Sequence, residues 1–174
     1  PRTKWDRAEA GQGEDAIRLK RKLQLDGIKR YYETQLGWAA GPHLFIDDRF
    51  VWLFTPMYNV GIHAKWGNSF RAMGRLHYSI GIEVIGYYER VRWPAPVQSL
   101  IHGAVQALQK RLNTLELRYL YPTPQSKPGM TPAGACAHPE RLRYGGLTSH
   151  RDFNKPGCPC AAITEDFYVG VCRG

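Results

Sequence analysis

The sequence predicts an α/β domain in which a central mixed β-sheet is flanked by helices. Three observations carry that prediction: helix-period apolar stripes at 14–36 and 94–113, two short β-rich runs between them, and a nearly continuous apolar run at 79–86. The order helix, hairpin, strand, helix, strand is that of a sheet covered by helices. At 174 residues the chain suits one domain, 1–174, long enough to bury roughly 70% of the surface its unfolded form exposes.

Residues 1–13 are polar and punctuated by glycine, with Trp5 as the one large anchor. From 14 to 36, Ile17, Leu23, Leu25, Ile28, Tyr31, Tyr32 and Leu36 recur at near-helical spacing. Glu14 and Asp15 suit the positive end of the dipole, and Gly37 supplies a stop. Arg18, Lys20, Arg21, Lys22, Lys29 and Arg30 make this helix basic, and they read as a solvated face, with an irregularity expected near Gly27. Runs 42–46 and 51–55, separated by Asp47-Asp48-Arg49-Phe50, predict a hairpin. Residues 57–75 scatter Gly, Asn and Ser without period, so a long surface loop is expected there. The 79–86 run predicts a strand covered on both faces, and Glu83 inside it needs a partner or a purpose. Val97, Leu100, Ile101, Ala104, Val105, Leu108 and Leu112 give 94–113 its apolar stripe, worth on the order of 10 kcal/mol gross before entropy is subtracted. A short strand is expected over 115–121. Residues 122–144, rich in Pro and Gly, read as an irregular insertion.

Lys plus Arg exceed Asp plus Glu by 24 to 15, a formal charge of +9 that favours an anionic partner. The 43% hydrophobic and 12% aromatic content excludes disorder, and no apolar run approaches the roughly 18 residues of a membrane span. Cys136, Cys158, Cys160 and Cys172 are too few for a disulfide scaffold, and they leave the redox context open.

Chemistry concentrates near the C-terminus. His150 and Cys158 stand eight positions apart around a loop stiffened by Pro156, Gly157 and Pro159, so an imidazole and a thiolate can converge. Zinc is the ion that this pair prefers, with Cys160 as the alternative sulfur ligand.

The order of motifs resembles the zinc-dependent N-acetylmuramoyl-L-alanine amidases, the family that includes phage lysozyme-like amidases and peptidoglycan recognition proteins. The matching residues are Gly41-Pro42-His43-Leu44-Phe45-Ile46-Asp47, then Gly61-Ile62-His63-Ala64 with Trp66 and Asn68, then 79–86, then His150-Arg151-Asp152 through Cys158-Pro159, together running from about Tyr31 to Phe167. The resemblance implies an amidase-like sandwich, a Zn2+ cofactor held by His150 and Cys158, and Glu83 as catalytic acid/base. It puts His63 and its loop at the substrate cleft, with Trp66 and Asn68 as binding residues. His43 joins them, with a hydrogen-bonded structural histidine as the competing reading.

Two departures stand out. The family's first metal-binding histidine precedes a small-residue segment, a proline and a tryptophan. The chain opens at Pro1-Arg2-Thr3-Lys4-Trp5, so a third ligand is expected upstream of Pro1, zinc is expected to be held weakly and these 174 residues alone are expected to show poor activity. The family's oxyanion-stabilising lysine often stands two residues before the metal-binding cysteine. Pro156 occupies that place, leaving Lys155 as the candidate, and Pro42 stands where some members carry tyrosine. The implied partner is peptidoglycan, met by a monomeric, cell-wall-facing protein. A non-catalytic recognition domain of the same fold is the alternative, and nucleic acid is not expected.

Overall fold

Helix α1 (Glu14–Gln35) begins after Gly13 with Glu14 and Asp15 in its first turn. The computed structural model describes residues 9–64, 68–72, 75–86, 88, 91–112, 118–119, 146–147, 149–150, 158 and 162–173. The helix runs unbroken through Gly27, and Gly37 just beyond it takes the left-handed conformation at φ 66. Its inward stripe is Ile17, Arg21 and Leu25, one helical turn apart. Leu23, counted with the apolar stripe from spacing alone, lies off it and is 61% exposed.

Arg21 is the unexpected member, because it is turned inward and only 1% exposed. Its Nε and Nη2 donate to Glu9 at 2.8 and 2.6 Å, a forked pair, and its Nη1 lies 2.7 Å from Asp48 Oδ1 and 2.8 Å from Asp47 Oδ1. Burial opposes the charge. The bonds to Glu9 and Asp48 and the charges of Asp47 and Asp48 outweigh it, holding the guanidinium above its ordinary pKa. The basic face of α1 is therefore not wholly solvated: one of its cations clamps the helix to the loop after β1 (Leu44–Ile46) and to the segment before α1.

Asp47 also explains the hairpin. Its Oδ1 accepts the backbone N–H of Arg49 and Phe50, each at 2.7 Å, and its Oδ2 accepts Trp52 Nε1 at 2.8 Å. The chain is turned back, and β2 (Val51–Leu53) pairs antiparallel with β1, Phe45 opposite Trp52. On its other edge β1 pairs in parallel with β5 (Ile82–Val84), Phe45 opposite Glu83. The result is a mixed three-stranded sheet in the order β2-β1-β5.

Alternation then sorts the side chains. Leu44, Ile46, Ile82 and Val84 share one face. Ile46 joins the core formed by Val97, Ile101 and Val105 of α2 (Ala95–Arg111) with Phe167, Tyr168 and Val171 of α3 (Glu165–Arg173), against which Ile82 and Val84 pack. On the opposite face Phe45 meets Phe54 edge-on at 4.9 Å, and Tyr32 of α1 meets Phe54 at 5.9 Å. The class is α/β, with helices on both faces of a small mixed sheet. Strand β5 is shorter than the 79–86 run, and its residues are half-buried rather than covered on both sides.

Two elements differ from expectation. Within the 57–75 stretch, read as loop, lies β3 (Ser69–Ala72), paired antiparallel with β4 (Arg75–Tyr78) in a two-stranded ribbon. Helix α3 was not foreseen, although Ile163, Phe167 and Val171 recur every fourth residue and all are buried. Of the 115–121 strand, Arg118–Tyr119 form β6, which pairs in parallel with β7 (Gly146–Leu147). The 122–144 insertion lies outside the described residues. No helix among the described residues is long and apolar enough to cross a membrane.

The core has a titratable margin. Burial pushes the Cys172 thiol up to about 11 from its ordinary 9.0. A raised folded-state value means that the stabilisation is complete below 9.0 and is lost as the pH climbs toward about 11. Urea midpoints are expected to fall over that window more steeply for the parent than for Cys172→Ala. Parallel curves would contradict this.

Candidate active site

His43 stands immediately before β1, and its ring is pinned on both sides. Gly81 N–H donates to Nδ1 at 3.1 Å, so that nitrogen carries no proton, and the protonated Nε2 donates to the Asn59 carbonyl at 3.1 Å. Backbone bonds repeat the connection, with His43 N and Leu44 N both reaching Gly81 O, at 2.9 and 3.0 Å. A neutral, 2% exposed imidazole thus ties β1, the approach to β5 and the 56–60 loop into one unit. Both of its ring nitrogens are engaged by backbone groups.

His63 packs edge-on to His43 with ring centroids 5.8 Å apart, its Nε2 3.3 Å from both the carbonyl and the hydroxyl oxygen of Ser79. Its loop is held by Asn68, whose Oδ1 accepts the backbone N–H of His63 at 2.9 Å and of Ala64 at 2.7 Å. The carbonyl end of Asn68 is thus spent on shaping the His63 loop. Trp66 lies outside the described residues.

Two glycines make room for this pair. A Cβ added at Gly61 would fall within 2.9 Å of both imidazoles, and one at Gly81 would overlap the His63 ring. Gly81→Ala is therefore expected to displace His63 and strain the bond to His43, costing about 1–3 kcal/mol as overpacking. Chemical denaturation measures it, and a cost below about 0.5 kcal/mol would show that the rings repack freely.

Glu83 lies in the middle of β5, two residues beyond Gly81, opposite Phe45 and half-buried. Its charge is felt by Tyr32: burial first, then Glu83 and then Tyr31, push the Tyr32 phenol above its ordinary value. The carboxylate therefore sits on the α1 face of the sheet, away from the apolar core under α2 and α3.

His150 follows β7 and the buried Ser149. The structure brings His150 and Cys158 together, with Nδ1 3.2 Å from Sγ and Cys158 exposed. Two ligands of one tetrahedral zinc, an N at about 2.0 Å and an S at about 2.3 Å, stand roughly 3.6 Å apart, so the pair needs only a small opening to accept the ion. The donor set fits in kind. Among the described residues no group of three His, Cys, Asp or Glu side chains is placed to hold a metal. Lys155 and the alternative ligand Cys160 lie outside the described residues.

Sequence reasoning missed Tyr32 as the neighbour of Glu83, and no motif marks it. It also missed Asn59 and Gly81 as the partners of His43, the first brought by the loop after β2 and the second by the parallel β1–β5 pairing. Comparison of the chain with protein-family models, with curated proteins and with solved structures finds no match.

Proposed function

We propose that this chain is a zinc-dependent hydrolase of the N-acetylmuramoyl-L-alanine amidase type, cleaving the amide that joins N-acetylmuramic acid to L-alanine in peptidoglycan. The observation that carries the reading is the 3.2 Å approach of His150 Nδ1 to Cys158 Sγ, within the motif order given above. In this reading the finer architecture is the amidase-like sandwich, with His150 and Cys158 as the residues that hold Zn2+. The ion, when bound, acidifies water to a pKa of about 7 and polarises the scissile carbonyl.

The chain's own residues supply the rest. Glu83, half-buried on the sheet, accepts a proton from the attacking water and delivers it to the departing L-alanine nitrogen. The Asn68-held loop fixes His63 at the wall of the cleft, and His43 behind it keeps that wall from moving. Lys155 stabilises the oxyanion, and Trp66 stacks on sugar or peptide. The formal charge of +9 suits an anionic wall, which such a protein would face.

Incubation with purified sacculi tests this. With Zn2+ in excess, because the pair is expected to hold the ion weakly, slow release of stem peptides with a free L-alanine amino terminus is expected in the supernatant, and none from Cys158→Ala. Sacculus binding by the parent without any release even under excess Zn2+ would overturn the hydrolase and leave a recognition domain.

A further inference from the structure

Strand β2 is an edge of the three-stranded sheet, and the pairing with β1 sorts its backbone groups. Phe54 N–H donates to the His43 carbonyl at 2.8 Å and Asp47 N–H to the Phe50 carbonyl at 3.1 Å, so 54/43 and 50/47 are closely bonded pairs. Alternation along an antiparallel ladder makes 52/45 the bonded pair between them, and Phe50, Trp52 and Phe54 therefore turn their amides toward β1. Val51 and Leu53 turn theirs away, to an edge that no described strand covers.

Both side chains are exposed as well, Val51 at 40% and Leu53 at 66%, and the exposed Met57, Tyr58 and Val60 follow within the next seven residues. Sheet edges are ordinarily blunted by lysine, proline or a bulge, and β2 carries none of these. From Phe50 to Ala64 there is no Asp, Glu, Lys or Arg. A chain of net charge +9 thus offers another copy of itself a strand edge that bears no cation.

The sequence of this edge is also symmetric. Phe50-Val51-Trp52-Leu53-Phe54 reads aromatic, aliphatic, Trp, aliphatic, aromatic in either direction. A second such strand, laid antiparallel with its Trp52 opposite this one, sets Val51 against Leu53 and Phe50 against Phe54, like against like at every position. The same register sets the outward amides of Val51 against those of Leu53, twice over, and closes four hydrogen bonds. A shift of one residue would set an outward amide against an inward one.

We infer that β2 pairs with β2 of a second copy of this chain, antiparallel about Trp52, in a two-fold dimer with one continuous six-stranded sheet. Such an interface is isologous and needs a self-complementary edge, which the 50–54 run supplies. The axis stands perpendicular to the sheet, so like faces look the same way. Leu53 of each copy covers Val51 of the other, and Trp52 meets Trp52 on the opposite face, where Phe50 already packs edge-on to it at 5.2 Å. The two Glu83-bearing faces open to one side, five strand spacings or about 24 Å apart, so the dimer meets a surface twice. This departs from the monomer expected from sequence. It makes no use of metal or hydrolysis, and it stands or falls apart from the function proposed above.

A short strand and its following loop make a small interface, so the dimer is expected to dissociate on dilution. Sedimentation velocity of the full chain from about 1 to 300 µM is expected to show monomer passing into dimer. Val51→Lys with Leu53→Lys sets like charges across each bonded pair and is expected to weaken association at least about tenfold. Val51→Glu with Leu53→Lys sets opposite charges across the same pairs, because each 51 faces a 53, and is expected to associate within about threefold of the parent. Both positions are exposed in the monomer, so urea midpoints near the parent's are expected for each variant. A parent that stays monomeric throughout, leaving the edge to an unrelated strand, would overturn the inference. So would a double-lysine variant that associates like the parent, or a glutamate-lysine variant as weak as the double-lysine one.

Discussion

Glu83→Gln is expected to lower peptide release from sacculi by about 10²–10⁴-fold while leaving the folded structure and metal content intact. The amide keeps the shape and the β5 pairing opposite Phe45 but cannot accept a proton at neutral pH. A second signature separates catalysis from packing. Because Glu83 raises the Tyr32 phenol after burial does, removing its charge is expected to let that phenol ionise at lower pH, seen as an ultraviolet titration absent from Tyr32→Phe. Unchanged release would remove Glu83 from the proton path. Lost release accompanied by lost thermal stability would assign it to the fold instead.

The largest effect on stability is expected from Arg21→Ala. The guanidinium is buried among Glu9, Asp47 and Asp48, and deleting it strands those carboxylates next to apolar surface, a cost of about 3–5 kcal/mol. Arg18→Ala on the same helix is the comparator. Its pair with Glu14 at 2.8 Å is solvent-exposed, so about 0–0.5 kcal/mol is expected. Urea unfolding of the two variants gives the contrast directly, and equal losses would mean that the clamp on the Asp47 turn is no stronger than a surface pair.

The same residue shows where sequence reading reached its limit. Charge placed Arg21 with the solvated face of α1, whereas spacing placed it one turn from both Ile17 and Leu25, and spacing won because Glu9, Asp47 and Asp48 offset its burial. Asp47 was legible as part of a turn, though not as the group that caps it and receives Trp52. Long periodic elements were readable: α1 and α2 lie within two residues of their expected ends. Short ones were not. The β3–β4 ribbon has four residues a strand, and α3 has nine, too few for period to stand out from composition. At the candidate site, the approach of His150 to Cys158 accords with the eight-residue spacing that the chain shows. The His43–His63 pair instead depends on Gly61 beside His63 and on Gly81, 38 residues beyond His43, standing against the rings, a steric fact that no spacing reports.

Cobalt titration of the chain tests the central claim most directly, because a thiolate bound to Co2+ gives a charge-transfer absorption that nitrogen and oxygen ligands do not. That absorption is expected to grow to one equivalent, to be competed away by Zn2+, to vanish in Cys158→Ala and His150→Ala, and to persist in Glu83→Gln. No thiolate absorption in the parent, or one that survives Cys158→Ala, would contradict the assignment of His150 and Cys158 as a metal-binding pair.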